Sequence, residues 1–185
     1  MTIILVTMSS IKDKNLLLLG ILCNQDAHGY QLNQILKLPT RAIHIGKANA
    51  YKLLAKLEGK GFVSHIEERE GNRPPRLVYS ITALGKEEFE RLLKERLAEF
   101  QPIEYPDGVS LNFIELLTPQ EALSLLIQRL ERLAIRCKAL TGFSDEIYAS
   151  HPGIDFLARQ AELESEFLNK LVEKYQQKTK DDNHA

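Results

Sequence analysis

The sequence predicts a mainly α-helical chain with one small β-hairpin, divided by a short linker into two parts. Three observations carry this reading. Leucine-rich segments recur at helical spacing through most of the 185 residues. Phe62 to Ile81 instead reads as two short strands around a turn holding Gly71, Asn72, Pro74 and Pro75. Gln101 to Gly108 (Q-P-I-E-Y-P-D-G) then interrupts the helical pattern where the charge balance changes sign. Residues 1–100 hold 15 Lys and Arg against 11 Asp and Glu, whereas residues 101–185 hold 9 against 14. The domains expected are therefore 1–100, a linker over 101–108, and a helical domain over 109–185.

Each element has a local cause. Lys12 to Leu22 is apolar at Leu16, Leu17, Leu18, Leu19, Ile21 and Leu22 and lacks β-branched runs, which favours a buried helix. Asn24 to Gly29 breaks it. Tyr30, Leu32, Ile35 and Leu36 make a short amphipathic helix that stops near Pro39. A loop through Arg41 and His44 leads to Gly46. Lys47 to Lys60 is a third helix, with Ala50, Leu53, Leu54 and Leu57 on one face and Gly61 as its C-terminal cap. Phe62 to Glu68 and Leu77 to Ile81 are the hairpin strands, and Arg69 to Arg76 (R-E-G-N-R-P-P-R) is its charged tip. Thr82 caps a helix running from Ala83 to about Phe100, with Leu84, Phe89, Leu92, Leu93 and Leu97 expected inward. Beyond the linker, Thr118-Pro119-Gln120-Glu121 is a capping box with proline at the first helical position. That helix should reach about Leu140. After a break around His151-Pro152-Gly153, Ile154 to about Lys178 is a long helix, and Lys180 to Ala185 is polar tail.

Bulk features remove several function classes. No apolar run approaches the roughly 18–20 residues of a membrane span, so no membrane partner is expected. Met1-Thr-Ile-Ile-Leu-Val lacks the basic start and cleavage site of a secretory signal, and Met1 to Ser10 reads either as a loose arm or as residues ahead of a start at Met8. Cys23 and Cys137 are far apart and form no disulfide framework, which points to a reducing compartment, the cytoplasm. The five histidines never fall at metal-ligand spacing, and no cofactor or nucleotide motif occurs, so neither metal nor cofactor is expected. An enzyme with Cys23 or Cys137 as nucleophile lacks a general base at recognisable spacing. Cys137 stands between Arg136 and Lys138, where a lowered thiol pKa is conceivable. The expectation is that the chain is not an enzyme.

Three helices followed by a hairpin with an arginine-bearing tip is the order of a winged helix-turn-helix, and its physics suits double-stranded DNA. Helix 47–60 can pack its leucine face inward and offer the other face to the major groove, which admits an α-helix. Ala48 and Ala55 allow close approach. Lys47, Asn49, Lys52 and Lys56 can reach bases or phosphates, Tyr51 can donate its hydroxyl to a phosphate, and the wing adds Arg69, Arg73 and Arg76. Against this stand plain readings: a solvated lysine face, a half-buried packing tyrosine and an ordinary loop. The order of all the parts together favours the DNA reading. The alternative in another class is a winged helix used for protein contacts without specific DNA binding, which the near-neutral net charge of −1 would suit.

The chain resembles the PadR-type transcriptional regulators over about residues 12–98. The matching segments are Leu16 to Cys23 (L-L-L-L-G-I-L-C), His28-Gly29-Tyr30-Gln31-Leu32, Tyr51 to Glu58 (Y-K-L-L-A-K-L-E) with Gly61-Phe62-Val63, and Pro74 to Gly85 (P-P-R-L-V-Y-S-I-T-A-L-G). The resemblance implies a homodimeric repressor whose C-terminal helices build the dimer and whose wings straddle operator DNA, with Tyr51 on a phosphate. Two departures stand out. Ala48-Asn49-Ala50 replaces the family's Gly-Ser/Thr-hydrophobic, and asparagine can pair bidentately with adenine. The loop from Pro39 to Gly46 is long. No tryptophan is present, so the paired-Trp drug site of some short members does not carry over.

The C-terminal half reads as an interaction module. Each of its two helices carries an apolar stripe, more than a lone hairpin can bury. Helix 1 of a second subunit, or that subunit's 154–178 helix, would cover the excess in a homodimer. A small-molecule effector would sit between domains or at the dimer seam. Tyr105, Phe113, Phe143 and Tyr148 are its aromatic candidates, weighed against plain core packing.

Overall fold

The structure is a computed structural model and describes residues 10–38, 42–69, 76–100 and 106–182. Two compact units divide the chain, 1–104 and 105–185. In order, the first holds α1 (Ile11–Asn24), β1 (Ala27–His28), α2 (Gly29–Leu36), α3 (Lys47–Gly59), β2 (Val63–Glu68), β3 (Arg76–Ile81) and α4 (Ala83–Ala98). The second holds α5 (Pro106–Asn112), a 3-10 turn (Ile114–Leu116), α6 (Pro119–Leu140), α7 (Asp145–Ser150) and α8 (Pro152–Asp182). The architecture is the expected one, mainly α with a small antiparallel sheet.

The core of the first unit gathers Leu18, Leu19 and Leu22 of α1, Leu32 and Leu36 of α2, Leu53, Leu54 and Leu57 of α3, Tyr79 of β3 and Leu92 of α4. A two-residue strand, β1, lies inside the segment expected to be a plain break. Ala27 pairs with Tyr79 and His28 with Val78 on the free edge of β3, giving the sheet order β1-β3-β2. Helix α3 ends in a Schellman motif. Phe62 N–H donates to the Leu57 carbonyl (3.0 Å) and Gly61 N–H to the Glu58 carbonyl (2.8 Å), with Gly61 at φ 75°. The chain reverses there, and β2 runs antiparallel to β3 in the register Val63–Ile81 to Glu68–Arg76.

Thr82 caps α4 as expected: its Oγ1 accepts from Gly85 N–H (3.0 Å) and donates to the Gly61 carbonyl (2.7 Å). The expected inward face of α4 needs correction. Leu92 is buried and Phe89 partly so, but Leu84, Leu93 and Leu97 are exposed, Leu97 at 79 %. The helix packs on α1 through the side that carries Leu92, and Leu84, Leu93 and Leu97 lie off that side. Two ion pairs join the same two helices, Lys12 to Glu95 and Arg96 to Asp13 (3.0 Å).

In the second unit α6 and α8 pack along their length, burying Leu126, Leu133, Leu140, Leu157, Leu168, Val172 and Tyr175. The Thr118–Glu121 capping box forms, with proline at the start of α6. Three details differ from expectation. Pro106 to Gly108, the last part of the expected linker, are helical. A short helix, α7, fills the connection after α6. Pro152 opens α8, which runs on through Lys178 to Asp182. Glu115 anchors the 3-10 turn to α8, pairing with Lys174 (3.2 Å) and Lys178 (2.5 Å). Those two ammonium groups hold its carboxyl at about 2, below the ordinary 4.5.

Candidate nucleic-acid interface

Helix α3 divides into two faces. Ala50, Leu53, Leu54 and Leu57 are buried; Lys47, Ala48, Asn49, Lys52, Ala55, Lys56 and Lys60 are exposed. No acidic side chain lies in its first turn, and its N-cap is Gly46, which brings no side chain to the end. The unsatisfied N–H groups there, with Lys47 beside them, give this end a positive potential suited to an anion. The outward face is cationic with small residues between the cations, the arrangement that lets a helix lie close to a nucleic-acid groove.

Tyr51 is half-buried rather than fully outward and packs on the edge of the core. A Cβ placed on Gly29 would lie 2.7 Å from the Tyr51 hydroxyl and 3.0 Å from its Cε1. The tyrosine thus crosses the start of α2, and glycine at 29 makes room for it. The structure describes the packing: the ring lies against the edge of the core, with its hydroxyl at the first turn of α2.

The wing is described up to its tip. Arg69 follows β2 and is exposed; Arg76 opens β3 opposite Glu68 and is exposed. Arg73 lies outside the described residues. Glu67 and Glu68 are exposed on the same strand, so the wing mixes both signs.

Sequence reasoning missed the side chains that brace the wing. His65 Nδ1 on β2 is 2.6 Å from Glu58 Oε1 on α3, and the His65 ring packs on Tyr79 at 5.7 Å. His28 Nε2 on β1 is 3.8 Å from Glu68 Oε2. The signal was available in Glu58 and His65, which flank the Gly61 turn: a Schellman reversal folds the first strand residues back beside the last helical turn.

The effector candidates are scattered in role. Tyr105 lies outside the described residues. Phe113 is 61 % exposed between α5 and the 3-10 turn. Phe143 and Tyr148 meet edge to face at 6.1 Å, and the Tyr148 hydroxyl donates to the Leu140 carbonyl (2.6 Å), closing the turn after α6. Cys137 departs from expectation. Its thiol is pushed up, first by burial and then by Glu162 and Glu164 across on α8, and its Sγ lies 3.7 Å from the Ala161 carbonyl. Arg136 opposes this only weakly, because adjacent residues on a helix point in different directions. Among the described residues no His, Cys, Asp and Glu cluster could hold a metal, and no helix is long and apolar enough to cross a membrane.

Residues 18–91 match the Transcriptional regulator PadR-like family. No curated protein is significantly similar to the chain. Among solved structures, Bacillus subtilis PadR in complex with operator DNA shares 20 % identity, covering 88 % of this chain and 98 % of that one, with a TM-score of 0.70. The PadR-like regulator BC1756 from Bacillus cereus shares 17 %, over 92 % and 99 %, at 0.72. Bacillus subtilis PadR in complex with p-coumaric acid shares 19 %, over 88 % and 98 %, at 0.64. These structural likenesses are of fold, and they extend beyond the matched segment to the helical second unit. Helix α3 and the braced wing both lie within residues 18–91, the two fifths of the chain that are similar to the PadR-like family.

Proposed function

We propose that the chain binds double-stranded DNA sequence-specifically, as a homodimeric repressor whose grip responds to a small-molecule effector. The observation that carries the DNA part is the exposed face of α3, where Lys47, Asn49, Lys52 and Lys56 surround Ala48 and Ala55. In this reading α3 enters the major groove, Asn49 and Lys52 meet base edges, Lys47 and Lys56 meet phosphates, and Tyr51 donates to a phosphate. Arg69, Arg73 and Arg76 follow the backbone beside it. That a protein of the same fold has been seen on operator DNA supports the assignment.

The dimer is supported by exposed apolar side chains on the second unit's helices. Phe156, Leu163 and Phe167 fall at i, i+7 and i+11 along α8, and Leu163 is 68 % exposed; Ile127 and Ile135 are exposed on α6. A monomer seldom leaves such stripes in water. In this reading a second copy covers them, with helix α1 contributing to the seam. Repression and effector response rest on the family resemblance, and on p-coumaric acid in one similar structure.

Selection of bound duplexes from a random pool by the full chain tests the proposal. Enrichment of inverted repeats whose half-sites lie one or more helical turns apart is expected. An unenriched pool would leave the protein-contact reading of the winged helix in its place.

A further inference from the structure

Along α6, Arg129, Arg132 and Arg136 fall at i, i+3 and i+7 on one side of the helix. They line a cleft of about 390 Å³ together with Leu133 and, from α8, Leu157, Gln160, Ala161 and Glu164. Its floor is apolar, since Leu133, Leu157 and Ala161 are buried. Glu164 answers one of the three cations, accepting from Arg129 at 2.7 Å. Arg132 and Arg136 are exposed, and among the described residues neither has a carboxylate partner. These two stand at i and i+4, a like-charge spacing that weakens a helix. Residues 105–185 hold 9 Lys and Arg against 13 Asp and Glu, yet three of those cations share one cleft. Random placement on an acidic surface would disperse them among the acids.

We propose that this cleft binds a small organic anion with an apolar body. Its carboxylate lies between the guanidinium groups of Arg132 and Arg136, whose planar forks match carboxylate geometry. Its apolar part rests on Leu133, Leu157 and Ala161. The volume is in the range of small-molecule sites and suits a body of one or two rings. The site is built from the second unit alone, so it does not depend on the DNA reading.

The full chain, without DNA, is titrated with 2-naphthoate by calorimetry, with 2-naphthamide as the uncharged probe of the same shape. Saturable binding of one naphthoate per chain is expected. The double variant Arg132→Gln/Arg136→Gln should bind at least tenfold more weakly, and the amide should bind weakly to both proteins. Both arginines are exposed, so the variant should keep its fold, which circular dichroism checks. Absence of saturable naphthoate binding overturns the proposal, as does equal affinity for the amide or full affinity in the double variant. A double variant that changes oligomeric state in light scattering, with no naphthoate binding to the parent, assigns the arginines to a second copy and also overturns it.

Discussion

Gly85→Ala is the substitution whose effect follows most directly from the structure. A Cβ at position 85 would lie 1.9 Å from the Phe62 carbonyl oxygen and 2.8 Å from Ile81 Cγ1. A carbon beside a carbonyl oxygen normally stops near 3.3 Å, so the first turn of α4 must retreat by about 1.4 Å. That retreat strains two anchors at once, the Thr82 Oγ1 bond to the Gly61 carbonyl (2.7 Å) and the Thr82 N–H bond to the Phe62 carbonyl (3.1 Å). Two weakened hydrogen bonds at roughly 1 kcal/mol each add to overpacking of about 1–3 kcal/mol. Alanine's better helix propensity returns about 1 kcal/mol. The net loss should be about 2–4 kcal/mol, read as a lower urea midpoint in the amide signals of α3 and β2. Gly59→Ala is the control, since nothing lies within 4 Å of its new methyl; its midpoint should stay level or rise. A Gly85→Ala protein with the parent's midpoint would refute the docking of α4 on the Gly61–Phe62 turn.

Further outcomes follow from other contacts. Gly29→Ala should displace the Tyr51 ring with little loss of stability, because the clash falls on the far end of a side chain. DNA affinity should drop by about 1 kcal/mol, the scale of one hydrogen bond; unchanged affinity in fluorescence anisotropy would remove Tyr51 from the interface. Glu115 is held at about 2 by Lys178 and Lys174, from an ordinary 4.5. A depressed carboxyl stabilises the folded unit above the ordinary value and loses that contribution as pH falls toward 2. Acid titration should therefore destabilise the second unit over that window, with a smaller response in Glu115→Gln. Cys137, raised by burial and by Glu162 and Glu164, should react with a thiol reagent at pH 7 more slowly than free cysteine. A faster reaction would contradict its packing against α8.

The parts of the fold that were legible in the sequence rest on local chemistry. Leucine spacing defined the inner face of α3. Thr118 and Glu121 announced the start of α6, and Gly61 its role at the end of α3. What escaped depends on pairing across the chain. Strand β1 is two residues long and is a strand only because β3 offers it an edge. Exposure of Leu93 and Leu97 follows from α4 packing on α1 through its Leu92 side, where leucine content suggested a wider contact. Cys137 was misjudged through its sequence neighbours Arg136 and Lys138. The groups that set its pKa are burial and two glutamates about 25 residues away in sequence, on α8. The DNA-facing candidates on α3 were readable for the same reason as its core, since a helix fixes both faces at once. The Gly29–Tyr51 contact was not readable, because it joins two elements with no turn between them to announce it, whereas Glu58 and His65 flank the Gly61 turn.

The central claim is that the outward face of α3 reads DNA sequence. Its most direct measurement compares the parent with Asn49→Ala and Lys52→Ala on the duplex selected by the parent, with single base changes at each position. Asn49→Ala should lose about 1–3 kcal/mol on the selected duplex and relax discrimination at one base pair. Lys52→Ala should weaken binding and flatten its salt dependence if its contact is to phosphate, or relax a neighbouring base pair if it is to a base. Undiminished affinity and an unchanged base preference in both variants would contradict the account.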